Sequence, residues 1–245
     1  GAAQWIYRDF TTPLRPENPI PYVNQKGLVD MSNNPKDAYY VFKSYWTANP
    51  KFCYIESHTW DERRGTPGEK RLIKVFRNRN EVELFVNGIS AGKKMRDIKK
   101  YPACGLNWEV DLSDGINEVI AKGLDSTFSA ADTITFNYST LPDGKPASIK
   151  LTAEQIHDGS YLITAQILDK DGRRCVNYNK RIYFSALNGG RLAGAPGSPE
   201  GSSIIETSNG KAKIIFQPFS GEKGTIEART QDFQGTFLEI GRKKN

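Results

Sequence analysis

Residues 81–88 read EVELFVNG, and this stretch decides the fold class. Its inward-facing set is Val82, Leu84 and Val86, and the residues between them point to the opposite face, which is the period-two pattern of a half-buried strand. The pair Asn87-Gly88 follows and accepts the positive φ angles of a tight turn, so a hairpin into Ile89-Ser90 is predicted. The stretch therefore predicts an antiparallel sheet that buries one face in a core.

Similar strand patterns recur on both sides of this hairpin, at intervals of roughly ten residues, as in immunoglobulin-type sandwiches. The first series, between residues 49 and 138, consists of FCYIESH, RLIKVFRN, EVELFVNG, LNWEVDL, NEVIAKG and DTITFNY. After a linker over residues 139–146, the second series consists of SIKLTAE, YLITAQILD, RIYFSAL, KIIFQPF and GTIEART. We predict a mainly β chain with two tandem immunoglobulin-like β-sandwiches, at residues 49–140 and 147–245. A single large sandwich with residues 141–145 as an internal loop is the alternative.

The first 48 residues have a different character: an apolar strand over residues 2–7, a Pro-rich loop, and one amphipathic helix. Asn34 is the predicted N-cap, with Pro35 and Asp37 in the first turn. The predicted apolar stripe of the helix is Ala38, Val41, Phe42 and Tyr45. One strand and one helix do not make a complete α/β fold. We therefore expect this segment to belong to a larger domain, with residues 1–30 irregular or held by a neighbouring molecule, and with the helix packed against the first sandwich.

Composition limits the functional classes. The net charge of +6 is spread along the chain without a basic stripe interleaved with aromatics, so no nucleic-acid partner is predicted. No apolar stretch approaches the roughly 20 residues that cross a membrane. The three cysteines, Cys53, Cys104 and Cys175, match no metal spacing and allow at most one disulfide, so buried thiols are predicted. No metal and no cofactor are predicted.

Residues 1–46 resemble the last strand, loop and helix of the catalytic (β/α)₈ barrel in family 2 glycoside hydrolases, the β-galactosidase and β-glucuronidase group. The segment around VELFVNG resembles the immunoglobulin-like domain that follows this barrel. The last third, with SALNGGRLAGAPGSPEGSS and GKAKIIFQPFSGEKGTIEA, resembles the terminal sandwich domain of the same enzymes. The resemblance implies that residues 1–48 are the C-terminal remnant of the catalytic barrel.

The resemblance also implies a function that this chain lacks by itself. Retaining glycosidases use two carboxylates about 5 Å apart, and in this family both lie on earlier barrel strands. The chain is thus expected to contain no catalytic residue and to be inert alone. Its implied partners are the missing catalytic barrel and the carbohydrate substrate of a parent enzyme of carbohydrate degradation, expected in the periplasm or outside the cell.

Three residues are the predicted substrate-binding positions. The resemblance implies that Trp5 is the floor of the sugar subsite, where an aromatic face stacks on a pyranose, against the alternative of a core aromatic. In Asn24-Gln25-Lys26-Gly27, the amide and ammonium groups resemble those that hold the uronate in β-glucuronidases of the family. A solvated Lys26 and a turn-capping Asn24 are the alternative, so the substrate is a β-galactoside or a β-glucuronide.

A carbohydrate-binding module and a dimerisation scaffold are the rival functions. Trp60 is the best candidate for a lectin-like platform, Trp108 is expected in the core, and a homo-oligomer is possible. The two histidines, His58 and His157, are too far apart in sequence to suggest a metal site or a catalytic triad.

Overall fold

The computed structural model describes residues 3–14, 23–78, 80–97, 99, 105–124, 131–156, 159–193, 204–219 and 223–241. They form two compact units. The first unit consists of the described residues of Gly1–Arg8 and Lys26–Pro142, and the second of those of Asp9–Gln25 and Asp143–Asn245. Each unit has its own hydrophobic core.

Among these residues the chain forms one helix and eighteen strands. They are, in chain order, β1 (Phe10–Thr11), β2 (Val23–Asn24), α1 (Asp37–Trp46), β3 (Cys53–Ile55), β4 (Glu62–Arg64), β5 (Arg71–Arg77), β6 (Glu81–Val86), β7 (Ile89–Met95), β8 (Leu106–Val110), β9 (Gly115–Gly123), β10 (Ala131–Ser139), β11 (Pro146–Gln155), β12 (Tyr161–Asp169), β13 (Arg181–Asn188), β14 (Gly190–Ala193), β15 (Ile204–Glu206), β16 (Lys211–Pro218), β17 (Gly224–Arg229) and β18 (Thr236–Ile240).

The first unit contains a β-sandwich. Its larger sheet has the strand order β4-β10-β9-β6-β7 and its smaller sheet β3-β5-β8. Alternate side chains of both sheets fill one core, as Leu84 in β6, Phe136 in β10 and Val75 in β5 illustrate. The turn between β6 and β7 has φ angles of 51° at Asn87 and 81° at Gly88, so the predicted hairpin is confirmed.

The second unit contains two four-stranded sheets, β11-β12-β16-β14 and β15-β13-β17-β18. Side chains of both sheets share its core, including Ile163 in β12, Phe216 in β16 and Phe184 in β13. All eleven strand segments expected from the sequence contain an observed strand. The prediction of tandem immunoglobulin-like β-sandwiches is confirmed, and the assignment of residues 1–48 to a barrel remnant stays a prediction.

The N-terminal segment differs from the sequence-based expectation in detail. The strand predicted over residues 2–7 is absent from the described residues 3–7, and the backbone forms only an isolated parallel bridge between Arg8 and Val29. Short strands β1 and β2 pair with each other. The segment is thus largely irregular, as expected for a strand that has no neighbouring strands in a sheet. Its paired backbone groups bond to the loop that contains Leu28 and Val29.

Helix α1 packs against β5 of the first sandwich, as predicted. Its predicted N-cap was wrong: Lys36 occupies that position without a side-chain hydrogen bond, because Asn34 is held by the Asp30 carboxylate. The predicted stripe was also inaccurate. Ala38 is exposed, and the one buried residue of the helix is Ser44.

Candidate functional site

The segment that carries Trp5 lies beside the segment that follows Lys26. Leu28 N–H donates to the Ile6 carbonyl at 3.3 Å, and Val29 N–H donates to the Tyr7 carbonyl at 2.9 Å. Both Leu28 and Val29 are buried. Arg8 and Val29 form a parallel bridge, so the residues before Arg8 run alongside the residues before Val29. The first unit therefore brings the Trp5 and Lys26 segments together.

Trp5 is 76% exposed, although the backbone next to it is paired. Its neighbour Tyr7 is also exposed. Within this chain, Trp5 is therefore not packed into a core, and the choice between a sugar subsite and the core of a barrel stays a prediction. An exposed indole on a held backbone offers a flat apolar face, which is the group that stacks on the C–H side of a sugar ring.

The loop behind Lys26 is held by one carboxylate. Asp30 Oδ1 accepts the N–H groups of Ser32 and Asn34, both at 2.8 Å, and Oδ2 accepts from the Asn34 side-chain amide at 2.8 Å. The Arg8 guanidinium donates to the Met31 carbonyl, which ties the loop back to the Trp5 segment. Lys26 itself is exposed, followed by buried Gly27. The loop thus presents an exposed ammonium from an anchored backbone.

Asn24 is assigned to the other compact unit. It is half-buried in β2, where its Cα partner is Phe10 of β1. Asp9 is buried in that same unit. Of the three predicted substrate-binding residues, the structure therefore brings together the segments of Trp5 and Lys26. The roles of all three in binding stay predictions.

A second cluster, which the sequence did not reveal, holds helix α1 to the sandwich. Asp37 Oδ1 accepts the Tyr54 hydroxyl at 2.5 Å, and Oδ2 accepts the Ser57 N–H at 3.0 Å. Two rings stack on the Tyr54 ring: the centroid of Tyr40 lies 3.5 Å from it and that of His58 lies 4.6 Å from it. Burial and the hydrogen bond to Asp37 raise the pKa of Tyr54, so its hydroxyl remains a donor.

Asp132 completes this cluster from β10. Its Oδ2 accepts the Ile55 N–H at 2.6 Å and the His58 Nε2–H at 2.7 Å. His58 lies in a turn, not in the strand suggested by the sequence, and this contact gives it a structural partner. The only sequence signal for the cluster is the acidic residue Asp37 in the first turn of the predicted helix.

The other candidates are mostly structural. Trp108 is buried in the first core, as expected, and Tyr178 is buried in the second, so neither contributes to an exposed aromatic platform. Trp60 is 48% exposed in the loop before β4. Cys53 and Cys175 are buried thiols, while Cys104 and His157 lie outside the described residues.

Two features are absent from the described residues. No group of three or more His, Cys, Asp and Glu side chains is arranged there to hold a metal ion. Within the same part of the chain, no helix has the length and apolar character that a membrane crossing requires.

Comparison with known proteins identifies the relatives of the chain. A family model described as a domain of unknown function (DUF4982) matches residues 68–125, which cover strands β5 to β9. A Formosa agariphila protein named "Putative beta-glucuronidase" is 47% identical over 242 residues, which is 98% of this chain and 29% of the relative. Beta-galactosidase BoGH2A of Bacteroides ovatus is 31% identical over 69% of this chain and 19% of its own length.

Solved structures give the same result. The crystal structure of Parabacteroides merdae β-glucuronidase matches with a TM-score of 0.86 and 36% identity, over 96% of this chain and 30% of that one. Apo Bacteroides uniformis β-glucuronidase 3 matches with a TM-score of 0.86 and 38% identity, over 97% of this chain and 30% of that one. The chain thus spans about three tenths of the length of these relatives. The chain belongs to the β-glucuronidase and β-galactosidase group of glycoside hydrolase family 2.

Proposed function

We propose that this chain is the non-catalytic C-terminal part of a retaining β-glycosidase of carbohydrate degradation, and that the whole enzyme acts on β-glucuronides. The observation that carries the proposal is the 47% identity to a protein named as a β-glucuronidase, which extends over 98% of the chain. The two solved relatives at 36% and 38% identity are β-glucuronidases as well. A β-galactoside is the alternative substrate, since one relative at 31% identity is a β-galactosidase.

In this proposal, three residues of the chain contact the sugar. Trp5 stacks on the pyranose, for which its exposed indole is suited. Lys26 and Asn24 donate to the uronate carboxylate, and charge-assisted hydrogen bonds of this kind distinguish an acidic sugar from a neutral one. The exposure of Lys26 and its anchored loop support this role.

The rest of the chain is a scaffold in the same proposal. Helix α1 carries Phe42 and Trp46, whose ring centroids lie 4.8 Å apart, and Trp46 remains 64% exposed. An exposed indole next to a half-buried ring favours contact with another part of the protein. We propose the catalytic barrel as that partner, with the first sandwich holding α1 in place through the hydrogen bond between Asp37 and Tyr54.

The substrate is tested in the full-length enzyme with Lys26→Ala. Loss of an ammonium that pairs with a carboxylate should reduce kcat/KM for a nitrophenyl β-glucuronide by about 2–4 kcal/mol, roughly 30- to 1000-fold. Hydrolysis of the nitrophenyl β-galactoside should change little. Lys51→Ala, which removes another exposed lysine of the first unit, is the control. Equal losses for both sugars would make Lys26 a structural residue and remove the support for a glucuronide substrate.

The non-catalytic role is tested with the 245-residue chain itself. Because both carboxylates of the family mechanism are inferred to lie elsewhere, the purified chain should show no turnover of either nitrophenyl substrate above buffer. Hydrolysis that copurifies with the chain and survives Trp5→Ala would refute the proposal.

A further inference from the structure

Strand β11 forms an open edge of the second unit. It is the longest strand of the described chain, with 10 residues, and β12 is the only described strand that pairs with it. Strand β18 of the other sheet lies near β11, but no backbone hydrogen bond joins the two among the described residues. Edge strands of natural proteins are usually short or covered, because their free N–H and C=O groups pair readily with another strand. An open edge of this length therefore indicates a partner.

The free backbone groups of β11 belong to every second residue. Ile156 N–H donates to the Ser160 carbonyl at 2.8 Å, and this pair continues the register in which Gln155 lies opposite Tyr161 of β12. Hydrogen-bonded pairs alternate with non-hydrogen-bonded pairs along an antiparallel ladder. The even-numbered residues of β11 therefore bond to β12, and the odd-numbered residues from Ile149 onwards direct their N–H and C=O groups away from it.

The side chains along this edge are exposed and carry charges of both signs. Lys150, Thr152 and Glu154 project from one face of β11, and all three are exposed. On the opposite face Leu151 packs against the second core, while Ala153 is exposed. The lysine and the glutamate lie two residues on either side of Thr152. The strand is thus complementary in charge to an antiparallel copy of itself.

We propose that β11 pairs with β11 of a second copy of this chain, antiparallel and about a two-fold axis at Thr152. In this register Lys150 is opposite Glu154 of the partner subunit, and the symmetry repeats the same pair on the other side of the axis. Both are non-hydrogen-bonded pairs, in which the side chains approach most closely. Opposite charges at such positions stabilise a sheet. The backbone groups that face away from β12 then bond to the second copy.

Other registers lose the charge match. With the axis at Leu151, Lys150 would be opposite Thr152. With the axis at Ala153, Lys150 would be opposite Ile156. A parallel in-register pair would place lysine opposite lysine, and like charges at that position are destabilising. A lysine on an edge strand normally prevents pairing, whereas here the same strand supplies the counter-charge, so one register with a second copy is favoured.

This pairing makes a closed assembly. It uses the same strand of both copies, so it ends at a dimer and does not continue into a filament. Contact between two strand edges buries less area than a standard interface, so we expect a Kd on the order of 10–100 μM. The inference is separate from the activity proposed above, because it concerns the edge of the second unit and is measured without turnover.

Sedimentation equilibrium of the 245-residue chain between about 5 and 500 μM tests the proposal. The unmodified chain should convert from monomer to dimer over this range. Lys150→Glu and Glu154→Lys should each weaken dimerisation about tenfold or more, because like charges then face each other. An equimolar mixture of the two variants should dimerise as the unmodified chain does, since each strand again meets the opposite charge. Recovery in the mixture also verifies that both variants are folded.

A proline tests the backbone pairing. Ala153→Pro removes an N–H that faces away from β12, which an edge strand tolerates, and it should abolish dimerisation. Lys213→Glu, at an exposed lysine of β16 in the same sheet, is the matched control and should leave the Kd unchanged. In hydrogen exchange, the amides of Leu151 and Ala153 should gain protection at high concentration, while that of Thr152 should change little.

Several outcomes would overturn the proposal. One is a chain that remains monomeric over the whole concentration range. Another is a dimer that neither the charge variants nor Ala153→Pro weakens, which would place the contact on a different surface. A mixture that stays monomeric although circular dichroism shows both charge variants to be folded is a third. The full-length enzyme should also lose dimerisation through β11 in Lys150→Glu; no response there would mean that another part of the enzyme covers this strand, and would overturn the proposal as well.

Discussion

Removal of the Asp37 carboxylate is the sharpest test of how α1 is held in the first unit. Its two oxygens accept one hydrogen bond each, from the Tyr54 hydroxyl and from the Ser57 N–H. In Asp37→Ala both donors lose their partner, while the Tyr40 and Tyr54 rings can still stack. Within the helix, the better propensity of alanine is offset by the loss of an acidic side chain from the first turn, two terms of opposite sign that are each below about 1 kcal/mol. A larger loss of stability must therefore come from the lost contacts.

The magnitude follows from these two contacts. A hydrogen bond to a charged group contributes about 1.5–3 kcal/mol to stability. Tyr54 and Ser57 are both partly exposed, so water replaces part of each bond and the lower half of that range applies. We expect the free energy of unfolding of the first unit to fall by about 3–4.5 kcal/mol. For a chain of this length, each kcal/mol lowers Tm by roughly 2–4 °C.

Tryptophan fluorescence during urea unfolding is the appropriate assay. All four tryptophans, at positions 5, 46, 60 and 108, belong to the first unit, so the signal reports on that unit. Asp111→Ala is the control, because this exposed carboxylate pairs with the exposed Lys70 at 3.5 Å and should change stability by less than about 0.5 kcal/mol.

A double-mutant cycle completes the experiment. Tyr54→Phe removes the hydroxyl and keeps the ring, so the combined Asp37→Ala and Tyr54→Phe variant isolates the interaction between the two side chains. We expect a coupling energy above about 0.5 kcal/mol. Additive single effects, or an Asp37→Ala loss no larger than that of Asp111→Ala, would refute the role assigned to this carboxylate.

Three further predictions concern separate parts of the molecule. A Cβ at Gly65 would lie 1.9 Å from the hydroxyl of the buried Tyr138, so Gly65→Ala should lower the unfolding free energy of the first unit by about 1–3 kcal/mol in the same fluorescence assay; an unchanged midpoint would contradict this close packing. Burial alone would raise the pKa of Asp169, but hydrogen bonds from the N–H and guanidinium of Arg173 outweigh this effect and lower the pKa. The ionised carboxylate therefore stabilises the folded state above the ordinary carboxyl pKa, and this contribution is lost as pH falls through the pKa of the folded state. The hydrogen-exchange protection factors of β12, taken relative to the intrinsic exchange rate at each pH, should therefore fall below about pH 4. Asp169→Asn should flatten this dependence, and an identical pH profile in the variant would exclude Asp169 as its source. Finally, if Trp60 is no lectin platform, neutral β-linked oligosaccharides should give no saturable heat, and a Kd below the millimolar range that Trp60→Ala abolishes would establish a carbohydrate-binding module instead.

The strands were predictable because their signals are local. In β6 the alternation of Val82, Leu84 and Val86 requires only neighbouring residues, and all three are buried in the structure. The Asn87-Gly88 turn has a backbone requirement that two residues meet by themselves. Strand β4 had no comparable signal: Glu62–Arg64 are three charged residues, and their parallel pairing with the end of β10 gives them strand structure.

The helix shows where local signals were insufficient. Asn34 followed by proline is a good helix start by sequence, but the Asp30 carboxylate four residues earlier holds both its backbone and its side chain. The helix consequently begins at Asp37. Sequence reasoning assigned that residue a role within the helix, whereas its oxygens bond to groups 17 and 20 residues away.

For the candidate site, too, some features follow from the sequence and others follow only from the tertiary structure. The sequence by itself determined the two β-sandwiches, the helix, and the residue types suited to a sugar, since strand alternation, turn pairs and motif resemblance are properties of short segments. Only the tertiary structure decided that Trp5 is exposed and that its segment lies along Leu28 and Val29. Those relations join residues far apart in the chain, and they depend on which side chains the two sheets of the first unit bury and which backbone groups remain to be paired.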